Sequence, residues 1–306
     1  MRSPATRVGY KEILDEFKGF SAVDPEQEID AELDDKLVQW MNLEFLRGAR
    51  SWRGERLMAA LMAIRSCFSR SGSRKVPRAF RALRGWRVLC PTYSRVPEDW
   101  PVWCAMAMEL ARDSNYLLGL GLLILVDCYL RPNELLQIRP EDLLAPQGAR
   151  GTWSIILFPQ HRPARSKTGT ADDTVMLDSP RLRWLSSLLP SLKACGRSRV
   201  WPWTYVEFFN MFVAVAKKLD LKLVPYQGRH SGASLDALAK SRTLQDIQKR
   251  GRWASHKSVI RYEKTGRIQE AWRHHSARQQ EHFLRCEQAV EVVFTTGRGL
   301  PAAVVL

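Results

Sequence analysis

Apolar residues recur at helical spacing in several stretches, separated by clear breakers. Asp30 to Leu46 reads as a helix stopped at Gly48. Leu57, Leu61, Ile64 and Phe68 form one stripe, which predicts a helix over about Gly54 to Ser69, closed by Ser71-Gly72-Ser73. Phe80, Leu83 and Trp86 begin another, on a helix from Pro77 to about Leu89 with its proline well placed at the start. Cys90 to Pro97 holds two prolines and no periodicity, so a linker and a domain boundary are expected at about 90–97. Beyond it, Pro101 to Arg112 and Tyr116 to Leu130 read as helices. The second is the longest apolar stretch, 15 residues interrupted by Asp127. That is short of the ~20 residues a bilayer requires, so it predicts a buried core helix. Trp153 to Phe158 and Thr174 to Leu177 are short β-prone runs around a Gly-containing turn, a hairpin, and helix returns from Pro180. The expected fold is mainly α with a small antiparallel β-sheet, in two domains: 1–95 helical, 98–290 larger, and a tail over 291–306.

Charge sharpens this division. Of 306 residues, 47 are Lys or Arg and 32 are Asp or Glu, a net charge of +15. Residues 1–46 hold 5 basic and 11 acidic side chains, net −6, whereas 47–95 hold 13 basic residues and only Glu55, net +12. Arginine-bearing faces of amphipathic helices suit a phosphate backbone, because each neutralised phosphate releases counterions. Arg53, Arg56, Arg74, Lys75, Arg78, Arg81 and Arg84 are therefore candidate nucleic-acid-binding residues, with solvated helix faces as the alternative. Six cysteines contain no Cys-x-x-Cys pair, and no zinc site or disulfide framework is expected. The N-terminus has no apolar signal-peptide core, so an intracellular, non-membrane protein is expected. Phosphate-cradling glycine loops and His-Glu-x-x-His are lacking, which points to chemistry without a metal or cofactor.

Four basic and aromatic settings stand out in the second domain. Arg131 lies in Leu130-Arg131-Pro132-Asn133-Glu134-Leu135, between a buried helix and a new one; a salt bridge to Glu134 is its bland alternative. Lys167 stands in Ser166-Lys167-Thr168-Gly169 at the expected hairpin tip. Arg229 follows Tyr226-Gln227-Gly228, opening a helix after Pro225 whose small residues permit close packing. Trp253 follows Gly251-Arg252, and Tyr262 comes nine residues later.

In this order and spacing, the residues resemble the signature of the tyrosine recombinase (phage integrase-like) family. That family has an Arg in Leu-Arg-x-x-Glu-Leu, a hairpin Lys, a His-x-x-Arg helix, a Gly-His or Trp element, and a Tyr nine residues on. The resemblance covers about 98–285 and implies a catalytic domain there, with 1–95 as a helical core-binding domain that clamps DNA. It implies Tyr262 as nucleophile, Arg131 and Arg229 on the phosphate, Lys167 as general acid and Trp253 beside the phosphate. It further implies cutting and rejoining of double-stranded DNA through a 3′-phosphotyrosyl link, commonly in a homotetramer, wherever the DNA resides. One departure stands: Tyr226 occupies the usual His position. Tyrosine, with an ordinary pKa near ~10, is a poor base. Either activity is reduced, or the proton leaves Tyr262 by another route, for which His230 and His256 are candidates. A non-catalytic DNA-binding relative and a helical RNA-binding protein with coincidental motifs are the competing readings; the latter requires these side chains to lie apart in the fold.

Overall fold

The computed structural model describes residues 4–26, 30–65, 75–90, 96–113, 115–148, 151–162, 172–263 and 266–298. The chain divides into two units, 1–94 and 95–306.

In the first unit, α1 (Pro4–Ser21) pairs with α3 (Trp52–Ile64), and α2 (Asp30–Leu46) with α4 (Pro77–Leu89). Ile13, Leu14 and Phe17 of α1, Leu33, Leu37 and Trp40 of α2, Leu57 and Leu61 of α3, and Leu83 and Trp86 of α4 form one buried core. Helix α1 is not among the sequence expectations. Its stripe of Tyr10, Ile13, Leu14 and Phe17 has the required 3- and 4-residue steps, but it lies within a charged segment. The buried Asp34 carboxylate accepts from the backbone N–H groups of Arg78 (3.0 Å) and Ala79 (2.7 Å), so α2 caps the start of α4.

The second unit is built on α5 (Trp100–Arg112) and α6 (Tyr116–Asp127), which pack against one another. Helix α6 ends three residues before the expected Leu130. Tyr129 adopts φ +48°, and the Leu130 N–H donates to the Leu125 carbonyl (2.9 Å), which turns the chain before Arg131. A single-turn α7 (Pro132–Leu135) follows. The expected two-stranded hairpin is a three-stranded antiparallel sheet in the order β1 (Leu143–Leu144), β2 (Ser154–Leu157), β3 (Asp173–Met176), with Ile155 opposite both Leu143 and Val175. Phe158 and Asp172, both at φ +55°, close the β2–β3 pairing, and the Asp172 N–H donates to the Phe158 carbonyl. Then come α8 (Leu189–Lys193), α9 (Tyr205–Lys218), α10 (Tyr226–Leu238), α11 (Leu244–Gly251), α12 (Gly266–Arg273) and α13 (Ala277–Thr296).

Helix α13 corrects the sequence expectation for the end of the chain. It runs through 291–296, and Val290, Val293 and Phe294 are buried in the core of their own unit. Tyr116 donates to the Val293 carbonyl at 2.6 Å, and its ring lies 4.7 Å from that of Phe294. Residues 291–296 therefore continue a packed helix and are not a separate tail; 299–306 fall outside the described residues.

Helix α10 lies closely along α6 because Gly228 and Gly232, one turn apart, carry no side chains there. A Cβ on Gly232 would sit 1.8 Å from the Val126 carbonyl oxygen and 2.7 Å from the Tyr129 ring. Gly232→Ala is therefore expected to force the two helices apart and cost about 3 kcal/mol, measured by urea denaturation. Unchanged stability would contradict this close approach.

Candidate active site

Helices α6, α7, α10 and α11 bring their ends together around one carboxylate. Glu134 is buried and faces three guanidiniums. It accepts from the backbone N–H of Arg131 (2.7 Å) and from the Arg131 side chain, at the start of α7. Arg252 Nη2 meets it at 2.5 Å, and Arg229 Nη1 lies 3.9 Å from it. Burial alone would raise the Glu134 carboxyl, but Arg252, the Arg131 N–H, Arg229 and Arg131 hold it below the usual glutamate range. Three cations around one anion leave local positive charge for a ligand.

Arg229 is 0% exposed. Its two terminal nitrogens donate to the carbonyls of Tyr129 and Gly251, which fixes the plane of the guanidinium. The left-handed turn at Tyr129 thus supplies an oriented acceptor. Burial, reinforced by Arg252, lowers the Arg229 pKa to about 10, and it remains a cation at neutral pH. Its Cζ lies 4.6 Å from the centre of the Trp253 ring, a cation–π contact. The Nε atoms of Arg229 and Arg252 are buried, with no hydrogen-bond partner among the described residues. Arg252 itself takes φ +55° at the end of α11, a conformation that carries its side chain back to Glu134.

Arg131 and Tyr226 share a cleft of about 370 Å³, lined also by Glu134, Gln137, Phe158 and Tyr205. Burial opposes the Arg131 charge, but Glu134 and the hydrogen-bonded Tyr226 outweigh it and raise its pKa. One turn along α10, the His230 ring lies 5.2 Å from that of Tyr226. His230 Nδ1 and Tyr262 Oη are 2.8 Å apart. Tyr262, on the 3₁₀ turn Ile260–Glu263, is 3% exposed, and its ring lies 4.9 Å from that of Trp253. Contacts therefore link Arg131, Tyr226, His230, Tyr262, Trp253 and Arg229 in an unbroken series. Coincidental motifs scattered in the fold would not give this.

Lys167 lies outside the described residues, as does Arg74. Arg252 has no place among the sequence candidates, and His230 appears there only as an alternative. The sequence signal for His230 is its position four residues after Tyr226, on the same face of one helix.

The basic candidates of the first unit divide into two groups. Arg53 is engaged by Glu16 and Glu44 (2.6 Å to the latter), Lys75 by Asp30 (2.8 Å) and Arg78 by Asp35. The acidic first stretch of the chain thus neutralises part of the basic one. Arg56 stacks at 4.7 Å on Trp52. Arg81 and Arg84 project into solvent from α4, with no acidic partner among the described residues. A buried network supports the site from beneath: Arg250 bonds Asp127 (3.0 Å), Asp178 (3.1 Å) and the Met176 carbonyl (2.8 Å), and Tyr129 donates to Asp236. Burial raises the Asp127 carboxyl despite Arg250.

Among the described residues no cluster of His, Cys, Asp and Glu could hold a metal, and no helix is long and apolar enough to cross a membrane. No protein-family model and no curated protein matches the sequence. Solved structures do match. The Tn1549 transposon integrase, in complex with transposon right end DNA, is similar at TM-score 0.59 and 14% identity, over 88% of this chain and 94% of that one. The lambda integrase, a dimer bound to a COC′ core site, is similar at TM-score 0.52 and 14% identity, over 87% of this chain and 73% of that one. A shorter lambda integrase in the same kind of complex gives 0.51 at 14% identity, over 86% and 90%. The chain has the fold of the tyrosine recombinases.

Proposed function

We propose that this chain is a site-specific DNA recombinase that cuts and rejoins duplex DNA through a 3′-phosphotyrosyl intermediate on Tyr262. The observation that carries this reading is the series of contacts joining Arg131, Tyr226, His230, Tyr262, Trp253 and Arg229, beside a single carboxylate that faces three guanidiniums. Tyr262 Oη attacks phosphorus; the bond to the 5′-oxygen breaks and releases a 5′-hydroxyl. Arg131 and Arg229 bind the non-bridging oxygens, whose charge grows in the transition state, where a fixed guanidinium costs no reorganisation. Tyr226 hydrogen-bonds the same phosphate through its phenolic O–H, Trp253 packs beside it, and Lys167 protonates the departing 5′-oxygen. The covalent link conserves the phosphodiester's energy, so religation needs no nucleotide cofactor. Strand exchange uses two such sites per crossover, which calls for assembly on DNA, as a tetramer. Residues 98–290 would form the catalytic domain and 1–95 the DNA clamp.

The test is incubation with a duplex carrying a nick just beyond the cleavage site, so that the short 5′-hydroxyl fragment diffuses away and religation fails. Accumulation of a denaturant-resistant protein–DNA species is expected. A second reading, a DNA-binding relative that no longer cuts, draws on Tyr226 in the usual His position and on the near-complete burial of Tyr262. It predicts tight binding with no covalent species.

The exposed arginines of α4 supply backbone contacts in this reading. Arg81→Ala together with Arg84→Ala is expected to flatten the dependence of log affinity on log salt by about 0.9 for each phosphate that is no longer neutralised, a total near ~2. An unchanged slope would remove these two residues from the interface.

A further inference from the structure

Tyr226 leaves the reaction without the base that its position normally provides, yet an imidazole stands one helical turn away. His230 extends from the same face of α10 as Tyr226 and is only partly buried. Its Nδ1 lies 2.8 Å from Tyr262 Oη, within direct proton-transfer distance of the reacting atom. The ring is held between two phenols, 5.2 Å from the Tyr226 ring and 5.7 Å from that of Tyr262. Tyr226 is itself bonded to Arg131, so the imidazole adjoins the residues that line the phosphate cleft. For Nδ1 to accept from the phenol, the neutral ring carries its proton on Nε2.

We propose that His230 is the general base of this active site, taking over the work of the His that Tyr226 replaces. The proposal rests on the phosphotyrosyl reading above. As Tyr262 Oη attacks, the Oη–P bond forms and the phenolic proton passes to His230 Nδ1, giving an imidazolium. The P–O5′ bond breaks, and the 5′-oxygen takes its proton from the general acid. On religation the 5′-hydroxyl returns its proton to the deprotonated general acid as it attacks phosphorus, the Oη–P bond breaks, and His230 returns its proton to the departing phenolate. Protons balance over the cycle without an external acid or base. Imidazole, with an ordinary pKa of about 6.5, can both accept and return that proton near neutral pH.

Single-turnover cleavage of the nicked duplex tests this, using the full chain as wild type, Tyr262→Phe, His230→Ala and His230→Gln. Each is assayed on ordinary DNA and on DNA with sulfur at the bridging 5′ position. A 5′-thiolate leaves without protonation, so that substrate removes the need for a general acid but not for a base. DNA affinity and melting temperature confirm that the variants fold. Both His230 variants are expected to form adduct at least about 100-fold more slowly than wild type, by the same factor on both substrates. Glutamine can keep a hydrogen bond to Oη but cannot take its proton, so Gln at wild-type rate would reduce His230 to a positioning residue and overturn the proposal. So would a defect that disappears on the sulfur substrate, which would assign His230 to the leaving group, or the absence of any defect. Wild-type adduct with normal His230 variants would remove this proposal alone. No adduct from wild type on either substrate would remove the phosphotyrosyl reading, and the general base with it.

Discussion

Tyr262→Phe is expected to abolish covalent attachment to DNA while leaving affinity for the duplex within about twofold. The variant removes one oxygen. The ring keeps its place beside Trp253, at 4.9 Å, and in the small core of Tyr129, Ala233, Ile247 and Val259. Stability should fall by only about 1 kcal/mol, the net value of the hydrogen bond to His230. A purely structural Tyr262 predicts the same small stability change but no change in adduct formation. Adduct yield and affinity, measured side by side, therefore separate the two roles.

Glu134→Gln is expected to have the largest effect on stability in the molecule, about 3–5 kcal/mol by urea denaturation. The carboxylate is the shared partner of Arg131, Arg229 and Arg252. A neutral amide of the same shape fills the space but leaves three guanidiniums, two of them almost fully buried, without an anion. The pH dependence follows from the depressed carboxyl. Its folded-state pKa lies below the unfolded value, so its stabilisation is complete above the ordinary glutamate pKa of about 4.3 and is lost as pH falls through the folded value. Wild type should therefore lose stability more steeply than Glu134→Gln below about pH 4. A Gln variant within 1 kcal/mol of wild type would mean that the three arginines find their counter-charges elsewhere.

Helices α2 and α4 were legible to the residue, because Gly48, Pro77 and the Cys90-Pro91 pair punctuate the apolar stripes unmistakably. The end of α6 was not. Its apolar run continues to Leu130, and only the left-handed turn at Tyr129, a residue with no special preference for positive φ, stops the helix. Strand β1, two residues long, is too short for any alternation to register. In the candidate site, the order of Arg131, Arg229, Trp253 and Tyr262 could be read because each sits in a distinctive local setting. Arg252 could not be read, since its reach to Glu134 depends on a backbone angle and on a fold contact across more than a hundred residues. Charge counting likewise located the basic stretch but not the acids that fold back onto Arg53, Lys75 and Arg78. Burial and pairing belong to tertiary structure, and a one-dimensional pattern carries them only where periodicity enforces them.

The reaction proposed for Tyr262 leaves a covalent bond between one phenolic oxygen and a DNA 3′ end. Wild-type protein captured on the nicked duplex, digested with nuclease and protease, and sequenced by mass spectrometry tests it most directly. A single modified peptide is expected, with its nucleotide mass on Tyr262, joined through a 3′-phosphate, and a free 5′-hydroxyl on the released strand. A nucleotide on any other residue, a link through a 5′-phosphate, or a complex that dissociates fully in denaturant would contradict it.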